Sequence, residues 1–376
     1  MKNILLGSSA LVGASLLVAV PVAAAEAPVL SFNGWTRVEV SGVDQDLTAG
    51  QGRGYQFEVD SHYLTWKAKG TADNGMTYGA NISATNNAAG ALTLDEAKLT
   101  FGLANGWGTV IIGDDDGADD IMMIGGFSLQ TAGYGHDGGY TSNVNRGGIG
   151  FTGVFTSLVG DTSDATKVSY YTPRLNGLQV GVSFTPDSGN TFSTGLGEDN
   201  DGDFNNHLGV GANFKRTFGD VGVQIGSSMA VASTEPDSTT VGAASSLARD
   251  DLSAWSIGGT LSFSGFSIGV GHGDSGDSNC TKANTLCDQG DWWDFGANYK
   301  MGNSTIAIGY MNNESNVAGS AVGDEVDVWS IGVNHDFASA PGLRAWAEVT
   351  SFSGDRTGTA SDNDATYIMI GTQVAY

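Results

Sequence analysis

The sequence is poor in basic residues and in proline, and each shortage narrows what the protein can be. Its 376 residues include 16 Lys and Arg against 41 Asp and Glu, for a net charge of −25. Nucleic acid is therefore not an expected partner, because binding it requires clustered basic side chains. The six prolines form no Pro-rich linker. We therefore predict one domain, although a chain of this length often holds two or three.

Long apolar runs are absent beyond the N-terminus. No later segment has the roughly 18 consecutive apolar residues of a spanning helix. At the N-terminus, Lys2 precedes an apolar stretch from Ile4 to Val20, and small residues follow up to Ala25. This pattern predicts a secretory signal peptide over residues 1–25. The alternative is an N-terminal membrane anchor, which the short apolar core and the lack of a positively charged stop disfavour.

Cysteine is almost absent, and histidine is sparse. Cys280 and Cys287 lie in a polar stretch, and in an exported protein we expect them to form one disulfide that closes a small loop. The five histidines show no metal-binding or catalytic spacing, and His136–Asp137 is a bland loop dipeptide. The sequence therefore predicts no catalytic residues, and an outer-membrane barrel enzyme is a disfavoured alternative.

What the chain has instead is glycine, 57 residues of it, and a period-2 pattern of apolar and polar side chains. From Leu30 to Val40, for example, apolar side chains share one parity and polar ones the other, as in a strand with one apolar face. A change of phase near Asp60 predicts a β-bulge. We count sixteen such strands, the last from Ala365 to Tyr376, joined alternately by short turns and long loops.

These features predict an all-β fold: a 16-stranded antiparallel transmembrane β-barrel over residues 26–376. An even strand number with short turns at one end and long loops at the other is typical of outer-membrane barrels. Closure also removes the edges that an open sheet would expose. A soluble β-solenoid or adhesin is the alternative, but solenoids show a fixed short repeat that we do not find.

One stretch interrupts the strand pattern, from Asp114 to Asn145. A long irregular stretch inside an ordered domain is usually functional. We predict that a loop over about 114–146 folds into the bore as a constriction loop. Residues 147–165 then either line the bore as loop or begin the sixth strand.

The polar parity of the strands carries most of the basic side chains. A Lys or Arg that faced lipid at the membrane midplane would cost roughly 2–4 kcal/mol, so these side chains are expected to face the bore. The basic residues on this parity are Arg37, Lys67, Lys69, Lys98, Lys167, Lys215, Lys300 and Arg344.

Three segments resemble a known family, the general (non-specific) porins of Gram-negative bacteria, especially their alphaproteobacterial branch. The segment Lys167–Asp187 resembles the hairpin of strands six and seven, and Gly108–Asp120 resembles strand five leading into the constriction loop. The alternating Ile368–Tyr376 is similar to the C-terminal signal that the barrel assembly machinery recognises. The resemblance spans the chain after residue 25.

The resemblance implies a homotrimeric porin in the outer membrane, in contact with its lipid and lipopolysaccharide. Such a porin passes small hydrophilic solutes by diffusion through an eyelet, where loop carboxylates face the basic wall. Carried over to this sequence, the acidic side is Asp114, Asp115, Asp116, Asp119 and Asp120. The predicted basic wall opposite it is Arg37, Lys67, Lys69, Lys98, Lys167 and Lys300. A substrate-selective outer-membrane channel is the alternative function, because a basic wall would also suit a specific site.

Calcium is a further hypothesis, because hard cations prefer dense carboxylate oxygens. No cofactor is required by a porin, but a Ca²⁺ ion could bind in the acidic segments around residues 114–120 and 198–203. The candidate ligands are Asp114, Asp116, Asp199, Asp201 and Asp203.

Overall fold

The protein was analysed as a computed structural model in which most of the chain is described. The described residues are 25–46, 54–86, 90–131, 133–139, 143–145, 156–158, 160–192, 202–235, 248–316, 323–356 and 362–376. The predicted signal peptide, apart from Ala25, lies outside these residues.

Sixteen strands occur in the described part of the chain, with little helix. They are β1 (Glu26–Gln45), β2 (Tyr55–Thr71), β3 (Thr77–Asn86), β4 (Leu92–Gly102), β5 (Thr109–Asp114), β6 (Thr166–Tyr171), β7 (Leu178–Asp187), β8 (Phe204–Phe218), β9 (Val221–Thr234), β10 (Leu252–Phe263), β11 (Phe266–Asp274), β12 (Asp288–Met301), β13 (Ser304–Asn316), β14 (Asp324–Asp336), β15 (Leu343–Arg356) and β16 (Asn363–Ala375). Short helical turns lie at Ala104–Gly106, at Ala118–Ile121 (α1) and at Gly126–Leu129. None of the helices in the described residues is long and apolar enough to cross a membrane.

The strands form one closed barrel in which each strand is antiparallel to its neighbours in sequence, and β1 pairs with β16. Beyond the last strand pair, Tyr376 N–H donates to Gly34 O at 2.9 Å, and Gly34 N–H donates to Tyr376 O at 2.8 Å. In lipid a strand edge finds no water to bond with, so closure satisfies the backbone. The predicted 16-stranded antiparallel barrel is confirmed.

The two faces of the wall differ as the period-2 pattern predicts. In β10, Ile257 and Leu261 are 50% and 49% exposed on the outer face, whereas Ser256 and Thr260 on the inner face are 3% and 5% exposed. Inside, the hydroxyls of Ser228 and Ser256 are hydrogen-bonded at 2.7 Å. The apolar outer face suits lipid and the polar inner face suits a water-filled bore.

The bulge predicted near Asp60 is also present. In the β1–β2 ladder, Arg37 is opposite Ser61 but Glu39 is opposite Glu58, so two residues of β2 oppose one of β1. The bulge reverses the phase of β2. As a result Phe57 and Trp66, on opposite parities of the sequence, are both exposed on the outer face.

Short turns lie at one end of the barrel and long loops at the other, and the predicted disulfide joins Cys280 to Cys287 within the long β11–β12 loop. A residue of the neighbouring β9–β10 loop also contacts this loop. Arg249 donates to the backbone oxygen of Asn279 at 3.3 Å and to its side-chain oxygen at 3.1 Å.

Replacing both cysteines by serine is expected to loosen this loop and leave the barrel closed. The bridge spans seven residues, and loop-closure entropy assigns about 2–3 kcal/mol to a ring of that size. Limited proteolysis should cut residues 275–287 faster in C280S/C287S, while the heat-modifiable gel shift of the folded barrel is unchanged. Reduction of the unsubstituted protein should reproduce the result, and loss of the gel shift would contradict it.

Candidate functional site

The segment after β5 begins with a network of opposite charges. Lys98 Nζ lies 2.5 Å from Asp115 Oδ1 and 2.8 Å from Glu96 Oε2. Lys167 is 2% exposed, and its ammonium donates to the backbone carbonyls of Asp115 and Ser163. Three of the predicted site residues therefore meet where the loop leaves the wall, and the two lysines fix its start.

Asp114 differs from the rest of the predicted acidic group. It is the last residue of β5, it is buried, and it accepts a hydrogen bond from Thr166 Oγ1. The register pairs Asp114 with Thr166 and, two positions earlier, Ile112 with Val168. Because Ile112 and Val168 are exposed on the outer face, Asp114 lies on the outward parity of its strand.

The remaining loop carboxylates are crowded around α1. The pKa values of Asp116 and Asp119 are raised to about 6, chiefly by burial, and the negative charge of Asp161 contributes to both shifts. Burial raises the pKa of Asp120 to about 7, with Asp161 again the next contribution. Asp119 Oδ2 also lies 3.8 Å from Nε2 of the buried His207. The segment therefore carries carboxylates whose charge changes near neutral pH.

Glycines on the inner wall leave space for the loop backbone. An added Cβ at Gly258 would overlap the Ile124 carbonyl oxygen, and one at Gly269 would lie 3.1 Å from the Gly125 carbonyl oxygen. The register makes Gly226, Gly258 and Gly271 neighbours across the two ladders that join β9, β10 and β11. We call this set the glycine track; its members are Gly211, Gly226, Gly258, Gly269, Gly271, Gly296, Gly309 and Gly332. The track lets loop main chain pack directly on wall main chain along β8 to β12, and at Gly309 and Gly332 it leaves space for loop side chains.

A buried carboxylate of the wall holds the loop on this track. Asp294 accepts a hydrogen bond from Phe127 N–H, and its Oδ2 lies 3.3 Å from His136 Nε2. His136 Nδ1 lies 2.8 Å from Gln130 Nε2. Both His136 and Asp294 are fully buried, so His136 contacts the wall and does not open onto the bore.

Further polar contacts continue around the barrel. Glu348 of β15 accepts a hydrogen bond from Gly135 N–H at 2.8 Å. Asn143 donates to the hydroxyl of Tyr367 on β16 at 2.9 Å. The described loop residues thus contact the inner face from β7 to β16, and through Tyr134, Asn143 and Asn145 they also contact β1 and β2. The part of β1 to β5 nearer the short turns is left largely uncovered.

The path of residues 147–165 is partly described. Thr156 N–H donates to Asp137 Oδ1 at 2.7 Å, and Trp292 Nε1 donates to Ser157 O at 3.0 Å. Because β6 begins only at Thr166, the described part of this segment is loop and not strand. It lies against the inner wall beside the constriction loop.

Arg37 lies on the uncovered part of the wall, next to two aromatic rings. Its guanidinium carbon lies 4.7 Å from the ring centre of Trp35 and 5.4 Å from that of Trp346. Its Nε donates to Gln373 Oε1 at 2.9 Å. Stacking on aromatic rings holds the guanidinium in place while it keeps its charge.

The predicted basic wall divides into two groups. Lys67, Asn81 and Lys98 are cross-strand partners on β2, β3 and β4, and Lys69 follows two residues later on the same face of β2. Lys300 is the next-to-last residue of β12, at a short turn on another part of the wall. The register therefore brings Lys67, Lys69 and Lys98 together, with Lys167 across β5 from Lys98. Arg37 is opposite Ser61, six residues before Lys67 on β2, so both Arg37 and Lys300 lie apart from this group.

The predicted calcium ligands form no assembled metal site in the described residues. No group of three or more His, Cys, Asp or Glu side chains there could hold a metal ion. Asp199 and Asp201 lie outside the described residues, and Asp203 immediately precedes β8. Calcium binding stays a prediction.

Two features of the site were missed in the sequence, the glycine track and the role of Asp294. The signal was present, because Gly209, Gly211, Gly269 and Gly271 repeat at the inward parity of their strands. Asp294 likewise lies between two outward aromatic residues. A carboxylate inside an otherwise apolar strand segment indicates an inward-facing group that needs a partner.

Substituting one glycine of the track is expected to free the loop locally. In G296A the new Cβ would collide with the Gly126 backbone, and the bond from Phe127 N–H to Asp294 would be lost. A hydrogen bond to a charged group contributes roughly 1.5–3 kcal/mol, so amide exchange of peptides over 122–130 should rise roughly ten- to a hundredfold.

The matched control is G42A, because an added Cβ at Gly42 would meet only Gly54 O at 3.4 Å. Hydrogen–deuterium exchange of the two variants separates loop docking from the general effect of a Gly→Ala change in a strand. Equal protection of 122–130 in both would contradict the docking role of the track.

Comparison with known proteins agrees with this architecture. The Comamonas acidovorans anion-selective porin has a TM-score of 0.64 at 13% identity, and the alignment covers 93% of this chain and 100% of that one. A loop-deletion mutant of Vibrio cholerae OmpT, an outer membrane protein, has a TM-score of 0.62 at 19% identity with the same coverage. A triple mutant of Rhodopseudomonas blastica porin has a TM-score of 0.57 at 16% identity, again with 93% and 100% covered. At these identities the likeness shows the fold alone.

Sequence comparison identifies the family. No curated protein sequence matches the chain. A family model described as Gram-negative porin matches residues 8–370, which is nearly the whole chain and includes β1 to β15 and the first part of β16. The chain belongs to the Gram-negative porin family.

Proposed function

We propose that the protein is an outer-membrane porin that passes small hydrophilic solutes and ions by passive diffusion through a water-filled bore. The observation that carries the proposal is the docking of the loop on the glycine track of β8 to β14. This arrangement narrows the bore from one side and leaves the basic wall of β1 to β5 on the other. Solute size and the field between the two sides then determine passage.

The field at the eyelet would come from only part of the predicted charges. Asp115 and Lys98 neutralise each other, and Lys167 is buried against loop carbonyls. The charges left to act on solutes are Asp116 and Asp120 on the loop and Arg37, Lys67 and Lys69 on the wall. A transverse field of this kind orients water and dipolar solutes, so that bulky apolar solutes pass poorly.

The wider setting belongs to the same proposal. We expect a homotrimer in the outer membrane of a Gram-negative bacterium, surrounded by lipid and lipopolysaccharide and assembled through the strand that ends at Tyr376. An exported precursor with a signal peptide over 1–25 fits this location. A channel needs no catalytic residue, and among the described residues His136, the histidine of the His136–Asp137 dipeptide, serves to dock the loop.

Purified protein in a planar lipid bilayer is expected to give stable, stepwise ionic conductance. Polyethylene glycols of increasing size should stop reducing the current above a sharp cut-off, because the loop limits the bore. G296A should change that cut-off or increase current noise, whereas G42A should match the unsubstituted protein. Insertion of folded barrels without stable conductance would overturn the porin proposal.

Ion selectivity is expected to depend on pH through the loop carboxylates. Asp116, Asp119 and Asp120, with pKa values of about 6, 6 and 7, are neutral below those values and negative above them. Cation preference should therefore rise as the pH increases from 5 to 8. The reversal potential in a KCl gradient measures it.

The variant that tests this assignment is D120N, which should flatten the upper part of the pH dependence. D220N removes an acidic charge from the β8–β9 turn and serves as the matched control. A pH dependence that is the same in D120N as in D220N would show that other groups titrate.

A further inference from the structure

The inner wall of β1 to β5 forms a recess near the short-turn end of the barrel, with a volume of about 890 Å³. Its lining includes Trp35, Tyr63, Thr65, Lys67, Lys69 and Lys98, and also the carboxylate of Glu96, which is paired with Lys98. It lies across the bore from the glycine track and is not filled by the described loop residues. We propose that Lys67 and Lys69 in this recess form a binding subsite for small polyvalent anions. The proposal rests on the porin function and specifies one solute class for it.

The first argument is the absence of local charge compensation. Within the described residues, Lys98 has carboxylate partners in Asp115 and Glu96, whereas neither Lys67 nor Lys69 forms an ion pair. The chain has 41 acidic residues against 16 basic ones. Two uncompensated lysines side by side are therefore unusual for this composition.

The second argument is spacing. Lys67 and Lys69 are two residues apart on one strand, so they point to the same face and their Cα atoms lie roughly 7 Å apart. Like charges at neighbouring positions of a sheet repel. An anion with two or more charges can contact both ammonium groups at once and relieve that repulsion, whereas chloride can neutralise only one. This arrangement therefore favours polyvalent over monovalent anions.

The third argument is access. Lys69 is two residues from the end of β2 at Thr71, which is followed by the turn Ala72–Gly75. The site is thus reached directly from the short-turn mouth. From the long-loop mouth an anion must first pass the carboxylates of Asp116 and Asp120. The subsite should therefore respond mainly to anions added on the short-turn side.

The test is anion block of single channels in KCl, with pyrophosphate or citrate added to one side at a time. In the unsubstituted protein, millimolar concentrations of either probe on the short-turn side should reduce the current more than on the other side. In K67Q/K69Q the concentration needed should rise about tenfold, as expected for two exposed charge contacts. The two probes distinguish phosphate-bearing from carboxylate-bearing solutes, and block by either supports the subsite.

The matched control is K215Q/K300Q, which removes two inward-parity lysines near the short-turn ends of β8 and β12. Block in this variant should stay as in the unsubstituted protein. An equal loss of block in both double variants would show unspecific attraction to a basic mouth and would overturn the subsite.

Binding can also be measured without a current. Line broadening of the pyrophosphate ³¹P signal by the detergent-solubilised, folded barrel should be present in the unsubstituted protein and in K215Q/K300Q, and reduced in K67Q/K69Q. If the protein forms no conducting pore, the porin proposal fails, and this measurement still decides the subsite. If the pore conducts normally but neither probe blocks or binds, the subsite alone is wrong.

Discussion

A strand that meets lipid at its edge leaves a row of N–H and C=O groups without partners, and the bilayer core offers no water to satisfy them. The ladder between β1 and β16, completed by Gly34 and Tyr376, removes that edge. Once the sheet is closed, every strand must turn one parity to lipid and the other to the bore. A long polar loop at membrane depth must then lie in the interior, where protein and water can satisfy its backbone groups.

Docking a loop inside such a wall creates a packing problem that glycine solves. Inward side chains at Gly258 or Gly296 would occupy the positions that Ile124 and Gly126 now hold. Because these wall positions lack Cβ atoms, the main chain of the loop comes close to the wall. Asp294 and Glu348 can then accept hydrogen bonds from N–H groups of the loop. The abundant glycine of this sequence therefore reflects a docking surface as well as turns.

The wall could be predicted from the sequence because period-2 alternation is a local property of each segment. The bulge near Asp60 was predictable for the same reason, since a change of phase is visible within one strand. Contacts between segments that are distant in sequence could not be predicted in this way. Parity indicates that Lys300 faces inward, but only the order and stagger of strands around the barrel separate it from Lys98. Likewise, Asp114 and Asp115 are adjacent in sequence but contact different side chains, Thr166 and Lys98, because β5 ends between them.

The positions of these residues in the barrel also change how the charges of the site act. In sequence, five aspartates opposite six basic residues resemble two uniform charged surfaces. In the structure the closest pair, Lys98 and Asp115, compensates itself, and burial weakens the ionisation of Asp120 near neutral pH. Among the described residues Lys67 and Lys69 form no ion pair, so in the proposed pore these two lysines would contribute most to the field. A pore formed by a strongly acidic chain can therefore present a locally positive recess to a solute. Net charge describes the whole molecule, whereas the passage of a solute depends on the few uncompensated charges along the bore.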